Sequence, residues 1–500
     1  MFSVRDTPVG APVYDGATSH PPPSRKPMRN VLKRAIRIFA WTAATLITLA
    51  LLLVVYAFIV NCFDEPLSPQ AKALLAEPAH AARPEDNLYL ALMGFQAPAG
   101  ETPIAAGKQR VDRYNAAVDR MLVDLDAAMS FSATDMPRRI EFSGDSEFWA
   151  PLAHSPWETA KSHRADLLQA RKANAILLNR YQSLHELKRY DETSRPSYVS
   201  SFPYVPPAIR TLYLGDIAAR LQSTRRAQQL AALQDLGADR VLWKTVVTGE
   251  GNVVGKLLAM AALRTDDLLL ADLIADPATN PDSLVGELQT LLRPFASTDW
   301  RLDRAFAAEY RAMDAVLRPE VLANAQVGGS GTQPIPWASR QWNALGMHFF
   351  KLHATENLRA EHMAHNIALS TVGLDHYESQ LASYNDWASR DAPWVSPAAL
   401  YNPMGRMLAF IGRGAYSNYQ TRAYDSAALQ RLPVCVYEIR TQHVTADAVV
   451  GFITQHPDVC SHVIPGHPFH WDPKTRELTV TPLGKGGNPG QRWSVVLRLL

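Results

Sequence analysis

A basic excess is missing from most of this chain. Residues 1–63 hold seven Lys/Arg and two Asp/Glu, a balance of +5; the whole chain is +2, so residues 64–500 carry −3. The sequence pI of 8.3 therefore belongs to the N-terminal stretch. Beyond it no run of Lys/Arg could track phosphates, which argues against nucleic acid as a partner. Repeats of fixed period are also missing, so a solenoid has no support. "VGGSGT" (327–332) lacks the lysine and spacing of a phosphate loop and the G-x-S-x-G of a nucleophile elbow, and reads as linker. Cysteine is scarce: 500 residues contain only Cys62, Cys435 and Cys460.

One long apolar run is present. Residues 38–60, "IFAWTAATLITLALLLVVYAFIV", contain no charge. As a helix they reach about 35 Å, enough to cross a bilayer with some tilt. Arg25, Lys26, Arg29, Lys33, Arg34 and Arg37 precede the run; Asn61, Asp64 and Glu65 follow it. The positive flank stays in the cytoplasm, so the N-terminus is expected inside and residues from 61 onward outside. A cleaved signal peptide would have an apolar region of about 7–15 residues and small residues at the cut. "AFIVNCF" offers no such site, and Ile59, Val60 and Asn61 before Cys62 do not make a lipobox. An uncleaved anchor is expected.

The remainder reads as mainly α. In 105–128, Val111, Tyr114, Val118, Met121, Leu122 and Leu125 fall on one face of a helix. Pro207 opens another, with Ile209, Leu212, Tyr213, Ile217 and Leu221 on one face of 207–232. Further helices are expected in 159–190, 253–276, 281–293, 299–317, 338–384 and 444–454. The C-terminus changes period. In "HPFHWDPKTRELTVTP" (467–482), Asp472-Pro473-Lys474-Thr475 is a turn between two extended runs. Leu478 and Val480 point one way, Thr479 and Thr481 the other, and "RWSVVLRLL" can add a third strand. The expected order is a disordered basic tail (1–37), a transmembrane helix (38–60), a periplasmic helical region (64–325), a flexible linker (326–336), a second helical region (337–465) and a small antiparallel β element (466–500).

The anchor, "NAILLNRYQSL" (174–184), "LQTLLRPF" (288–295), "YNPMGRML" (401–408) and the closing "HPFHWDPKTRELTV" together resemble a group of uncharacterised single-pass envelope proteins of Gram-negative bacteria. The resemblance implies a bacterial inner-membrane location and a helical periplasmic region. It brings no activity with it.

Several stretches hold residue types that do chemistry. "EHMAH" (361–365) puts His362 and His365 three apart, but a metalloprotease helix needs histidines four apart with the glutamate between them. On a helix over 338–384, Trp342, Leu345, Phe349, Leu352, Met363 and Ile367 form the apolar stripe, which leaves both histidines on the wet side. "IEFSGDSEFW" (140–149) resembles the nucleophile segment of GDS-type lipases and esterases, which would make Ser146 the nucleophile. No D-x-x-H pair follows it near the C-terminus, so Ser146 reads as a loop or helix N-cap residue. Asp266, Asp267, Asp272 and Asp276 could pair for acid–base work; spaced between leucines on one helix, they read as a solvated face. Tyr198, Phe202 and Tyr204, in the Pro-rich "SYVSSFPYVPP", are the best candidate binding surface. Cys435 and Cys460, exported together, are expected to pair.

No coherent catalytic set, metal site or cofactor emerges. The leading expectation is therefore a membrane-anchored periplasmic scaffold with an envelope protein partner. The alternatives are an envelope hydrolase acting on peptidoglycan, glycan or ester substrates, and an accessory protein of a secretion or pilus system.

Overall fold

The computed structural model describes residues 26–78, 82–121, 139–144, 146–196, 207–318, 345–390, 397–411, 413, 416–485 and 492–499. The chain divides into residues 1–60 and residues 61–500.

The first unit contains one helix, Lys26–Val60. Its segment Leu32–Val60 has 29 residues and a mean hydropathy of 2.7, long and apolar enough to cross a membrane. Thr42, Thr45 and Thr48 each return the hydroxyl to the carbonyl four residues back at 2.9 Å, which satisfies these polar groups within the helix.

The second unit is mainly α with a small sheet at its C-terminal end. At its centre stand two antiparallel helices, Arg226–Thr248 and Val253–Ala275. "LLLADLIA" carries apolar residues on every face, broken only by Asp272, so the C-terminal half of Val253–Ala275 has to be covered on every side, and residues 266–275 are all buried. It packs on Arg226–Thr248, Ser417–Leu429, Arg431–Thr441 and the last strand. The two shorter helices Leu88–Met93 and Pro103–Met121 cross backbone to backbone. A Cβ on Gly107 would lie 1.8 Å from Leu90 O, so only glycine permits that approach.

Strands β1 (His470–Asp472), β2 (Glu477–Thr479) and β3 (Ser494–Val496) pair antiparallel in that order. The turn between β1 and β2 is an Asx turn: Asp472 Oδ1 accepts from Lys474 N at 2.8 Å. Leu478 and Val480 are fully buried and Thr481 is exposed, as the alternation predicts.

Helix existence follows the apolar period well; helix ends do not. The stretch 159–190 folds as Pro156–Ser162, Arg164–Ala173 and Ala175–Ser183, and 207–232 falls on Pro207–Leu221 and Arg226–Thr248, which pack side by side. The expected helix 338–384 is also interrupted. Helices cover Leu352–Thr371 and Tyr377–Ser389, with a break at Val372 and Gly373. The linker 326–336 lies outside the described residues.

Candidate functional site

Four polar groups converge where the central helices meet. Helix Arg226–Thr248 leaves its last carbonyls without helical partners, and Lys256 supplies a donor: its Nζ donates to Val246 O at 2.8 Å and to Gly249 O. Helix Val253–Ala275 leaves its first amides free. Asn252 Oδ1 accepts from Gly255 N at 2.8 Å, and Glu309 Oε1 accepts from Val253 N at 3.0 Å. Glu192 clamps the cap, taking Asn252 N at 2.9 Å and Asn252 Nδ2 at 3.0 Å. Two carboxylates thus face the positive end of a 23-residue helix.

Burial shifts these groups. It pushes Glu192 up, against the Asn252 hydrogen bonds, and it pushes Glu309 up, against the Val253 amide. It pulls the Lys256 ammonium down to about 7. Glu192 and Glu309 also line a cleft of about 540 Å³, whose walls include Asn115, Ser194, Arg311 and Asp314. Chemically the arrangement offers two carboxyls held partly out of water beside a space that could take a small polar group.

A second polar cluster lies deeper. Tyr181 donates its hydroxyl to Asp239 Oδ1 at 2.6 Å and accepts from Trp243 Nε1 at 2.9 Å. Arg210 bridges Asp239, at 3.0 Å, and Asp266; Arg240 holds Asp267 at 2.8 Å. Burial alone would raise Asp239, but Arg210, His185 and Tyr181 outweigh it and keep it below the ordinary range. Burial drives Asp266 well up, Arg210 opposing and Asp239 adding, and it drives Asp267 up to about 6 against Arg240. Two guanidiniums thus face three carboxyls, and the upward shift of Asp266 reduces the excess negative charge in the cluster.

This overturns the solvated reading of the acidic group. Asp266, Asp267 and Asp272 are buried, and Asp276 is held by Lys161 at 2.6 Å and Trp157 Nε1 at 2.9 Å. Asp272 takes both Nη atoms of Arg492, so it ties the helix to the segment leading into β3. The acids lie inward because the C-terminal half of this helix is enclosed and each acid meets a cation from a distant element.

His362 is likewise not on a wet face. It is 8% exposed, lies between Trp387 and Phe410 at ring distances of 5.2 and 5.4 Å, and its Nδ1 is 3.2 Å from Ala409 O. Burial, with Arg413 nearby, pulls its imidazole down to about 4. His365 is half-buried and stacks on Trp387 at 4.1 Å. The indole also takes the Arg413 guanidinium at 4.0 Å. The physical reason is that Leu352–Thr371 packs on two sides, against Asp303–Leu317 and against Pro403–Ile411, so its buried arc is wider than one stripe.

Ser146 is the first residue of helix Ser146–His154. Tyr198, Phe202 and Tyr204 lie outside the described residues, as does "VGGSGT". Among the described residues, no group of three or more His, Cys, Asp or Glu could hold a metal ion. The Cys435 and Cys460 sulfurs lie at disulfide distance, 2.00 Å, with Cα atoms 5.1 Å apart.

Sequence reasoning missed Glu192, Glu309, Lys256 and the Arg210–Asp239 pair. Only Asn252 left a local sign, as an N-cap residue directly before an apolar helical run. The others act across long stretches of chain.

Fold and site define a class: a mainly helical unit with buried ion pairs, behind an N-terminal helix apolar enough to cross a membrane. Comparison with known protein families, with curated proteins and with solved structures finds no match to this chain.

Proposed function

We propose that this chain is a membrane-anchored scaffold or partner-binding protein of the cell envelope. Helix Leu32–Val60 crosses the bacterial inner membrane once, the N-terminus is cytoplasmic, and the unit from Asn61 onward is periplasmic. The observation that carries the reading is this long, unburied apolar helix continuous with a large packed unit. The basic residues before it support the orientation. A cysteine pair at disulfide distance supports an oxidising compartment. Use of the buried charges to close helix ends and to tie helices together supports a structural over a chemical role for them.

A reporter active only after export, fused after Leu500, is expected to be active; activity only from a cytoplasmic reporter at that point would overturn the topology. Crosslinking in intact cells should recover an envelope protein with the chain.

The cleft supports a second reading, an envelope hydrolase. Glu192 and Glu309 are two carboxyls of raised pKa on one cavity, the residue types that glycan cleavage uses. Under this reading Glu309→Gln abolishes release of soluble fragments from peptidoglycan. Under the scaffold reading the full chain releases none.

A further inference from the structure

The packed unit is hydrogen-bonded from its first residue. Asn61 follows the last residue of the apolar helix directly, and it is fully buried. Its Nδ2 donates to Leu400 O at 2.6 Å and its Oδ1 accepts from Asn402 N at 2.8 Å. The next residues stay attached. Asp64 accepts from His353 N at 2.8 Å and Ala354 N at 3.0 Å, and Asn357 bonds Glu65, Pro66 and Ser68.

Asn402 anchors the receiving end. Its backbone is left-handed at φ 51°, and its side chain accepts from Lys351 N at 2.9 Å and Gly405 N at 3.2 Å and donates to Thr355 Oγ1 at 2.9 Å. It leads into helix Pro403–Ile411, "PMGRMLAFI". Gly405 and Ala409 are buried, and a Cβ on Gly405 would lie 1.9 Å from Thr355 Oγ1, so this edge is pressed onto helix Leu352–Thr371. At about 100° per residue, Met404 and Met407 fall on the opposite side. That side is apolar; among the described residues Met407 is left 46% exposed and Met404 half-buried. Leu345 adjoins it, because a Cβ on the next residue, Gly346, would lie 3.4 Å from Met404 Sδ. Phe63, two residues past Asn61, is 78% exposed.

We propose that Met404, Met407, Leu345 and Phe63 form an interfacial surface that rests in the lipid headgroup layer. The proposal depends on the anchor reading above. Chain continuity selects the occupant. The residue that follows the span in the chain, Asn61, is itself hydrogen-bonded to Leu400 and Asn402. The headgroup layer is about 5–7 Å deep on each side of the hydrocarbon. Asn402 opens the helix that carries Met407, about 7.5 Å of helical rise further on, so the surface begins beside the residue where the chain leaves the span. A short helix with one apolar face and Arg406 on its flank has the composition such a layer accepts.

The test uses the full chain in nanodiscs, with Cys62→Ser and either Met407→Cys or Leu168→Cys, each carrying an environment-sensitive fluorophore. Leu168 is 52% exposed on helix Arg164–Ala173 and serves as the reference. Lipids carrying a quencher near the headgroup should remove most of the emission at 407 and leave that at 168. Equal emission at both positions, in protein that resists carbonate extraction, overturns the surface and leaves the anchor standing. Release by carbonate overturns the anchor itself. Quenching at 407 by a second labelled copy, without effect of the quencher lipid, assigns the face to self-association and also overturns the proposal.

Discussion

His362 looks like a surface residue only while its helix has a single neighbour. With the structure in hand, the His362→Ala, His365→Ala double substitution is expected to destabilise the protein. Removing a buried ring leaves a cavity against Trp387 and Phe410, which costs about 1–3 kcal/mol, well above the roughly 0.5 kcal/mol of ordinary surface changes. The pH response separates the two histidines. His362 is depressed to about 4 in the fold from 6.5 in the open chain. Between these values the unfolded chain binds the extra proton, so the His362 contribution is present above about pH 6.5 and is lost as the pH falls through 4, at about 1.4 kcal/mol per unit. Denaturant melts at pH 7, 5.5 and 4 should show that slope in the wild type and a shallower one in His362→Gln. Identical slopes would refute the burial of His362. The same limit made Asp266 and Asp267 illegible: periodicity shows which residues are apolar, not how many sides of a helix are covered. A carboxylate among leucines reads as solvated until Arg210 and Arg240 arrive from other helices.

At the scale of elements, helix ends are where this chain spends its polar side chains on other segments. Lys351, at the start of helix Leu352–Thr371, makes no side-chain cap. Asp64, nearly three hundred positions earlier in sequence, closes the first amides instead. Asp64→Ala should therefore cost about 1 kcal/mol, the usual worth of a cap, and should make the segment 61–68 more sensitive to protease. An unchanged melting curve with unchanged cleavage would show that the cap is not formed. Lys256 closes the opposite kind of end. Its ammonium sits near 7 in the fold against 10.5 in the open chain. Between those values the unfolded chain holds more protons, so stability rises with pH by about 1.4 kcal/mol per unit from this residue. Relative to Lys256→Met, the wild type should gain stability from pH 7 to pH 9; parallel pH curves would contradict it. Helices, strand alternation and the β1–β2 turn were legible because they repeat over a few residues. The breaks at 222–225 and 372–373 were not, because tertiary packing decides where one apolar face stops and the next begins. The corner of Glu192, Asn252, Lys256 and Glu309 was not legible either, since no short window contains it.

At the scale of the whole molecule, the Cys435–Cys460 pair, at disulfide distance, lies between the helical body and the entry to the C-terminal sheet. Cys435 is buried in helix Arg431–Thr441, which packs on the central helix Val253–Ala275. Cys460 follows helix Val449–Gln455 and is equally buried; its carbonyl accepts from Phe469 N at 3.0 Å, just before β1. The pair, 25 positions apart, therefore closes a loop that contains helix Val449–Gln455 and pins the entry to β1. On the chain-entropy view, closing such a loop restricts the unfolded chain and stabilises the fold by about 3–4 kcal/mol. The bond would also decide where unfolding starts. β3 and its approach are held to the central helix by Arg492 and Asp272, and the segment before it is held to helix Ser417–Leu429, where Asp425 accepts from Leu483 N at 2.8 Å and Gly484 N at 3.0 Å. Alkylation of the unreduced, denatured protein should label Cys62 alone, and reduction should expose two further thiols. After reduction, or in Cys435→Ala, Cys460→Ala, protease should cut first within 456–470 while helix Val253–Ala275 stays protected. Labelling of all three cysteines without reductant would remove the bridge, and an unchanged cleavage pattern after its removal would leave the Arg492–Asp272 pair and the Asp425 hydrogen bonds to Leu483 and Gly484 as ties that hold the sheet.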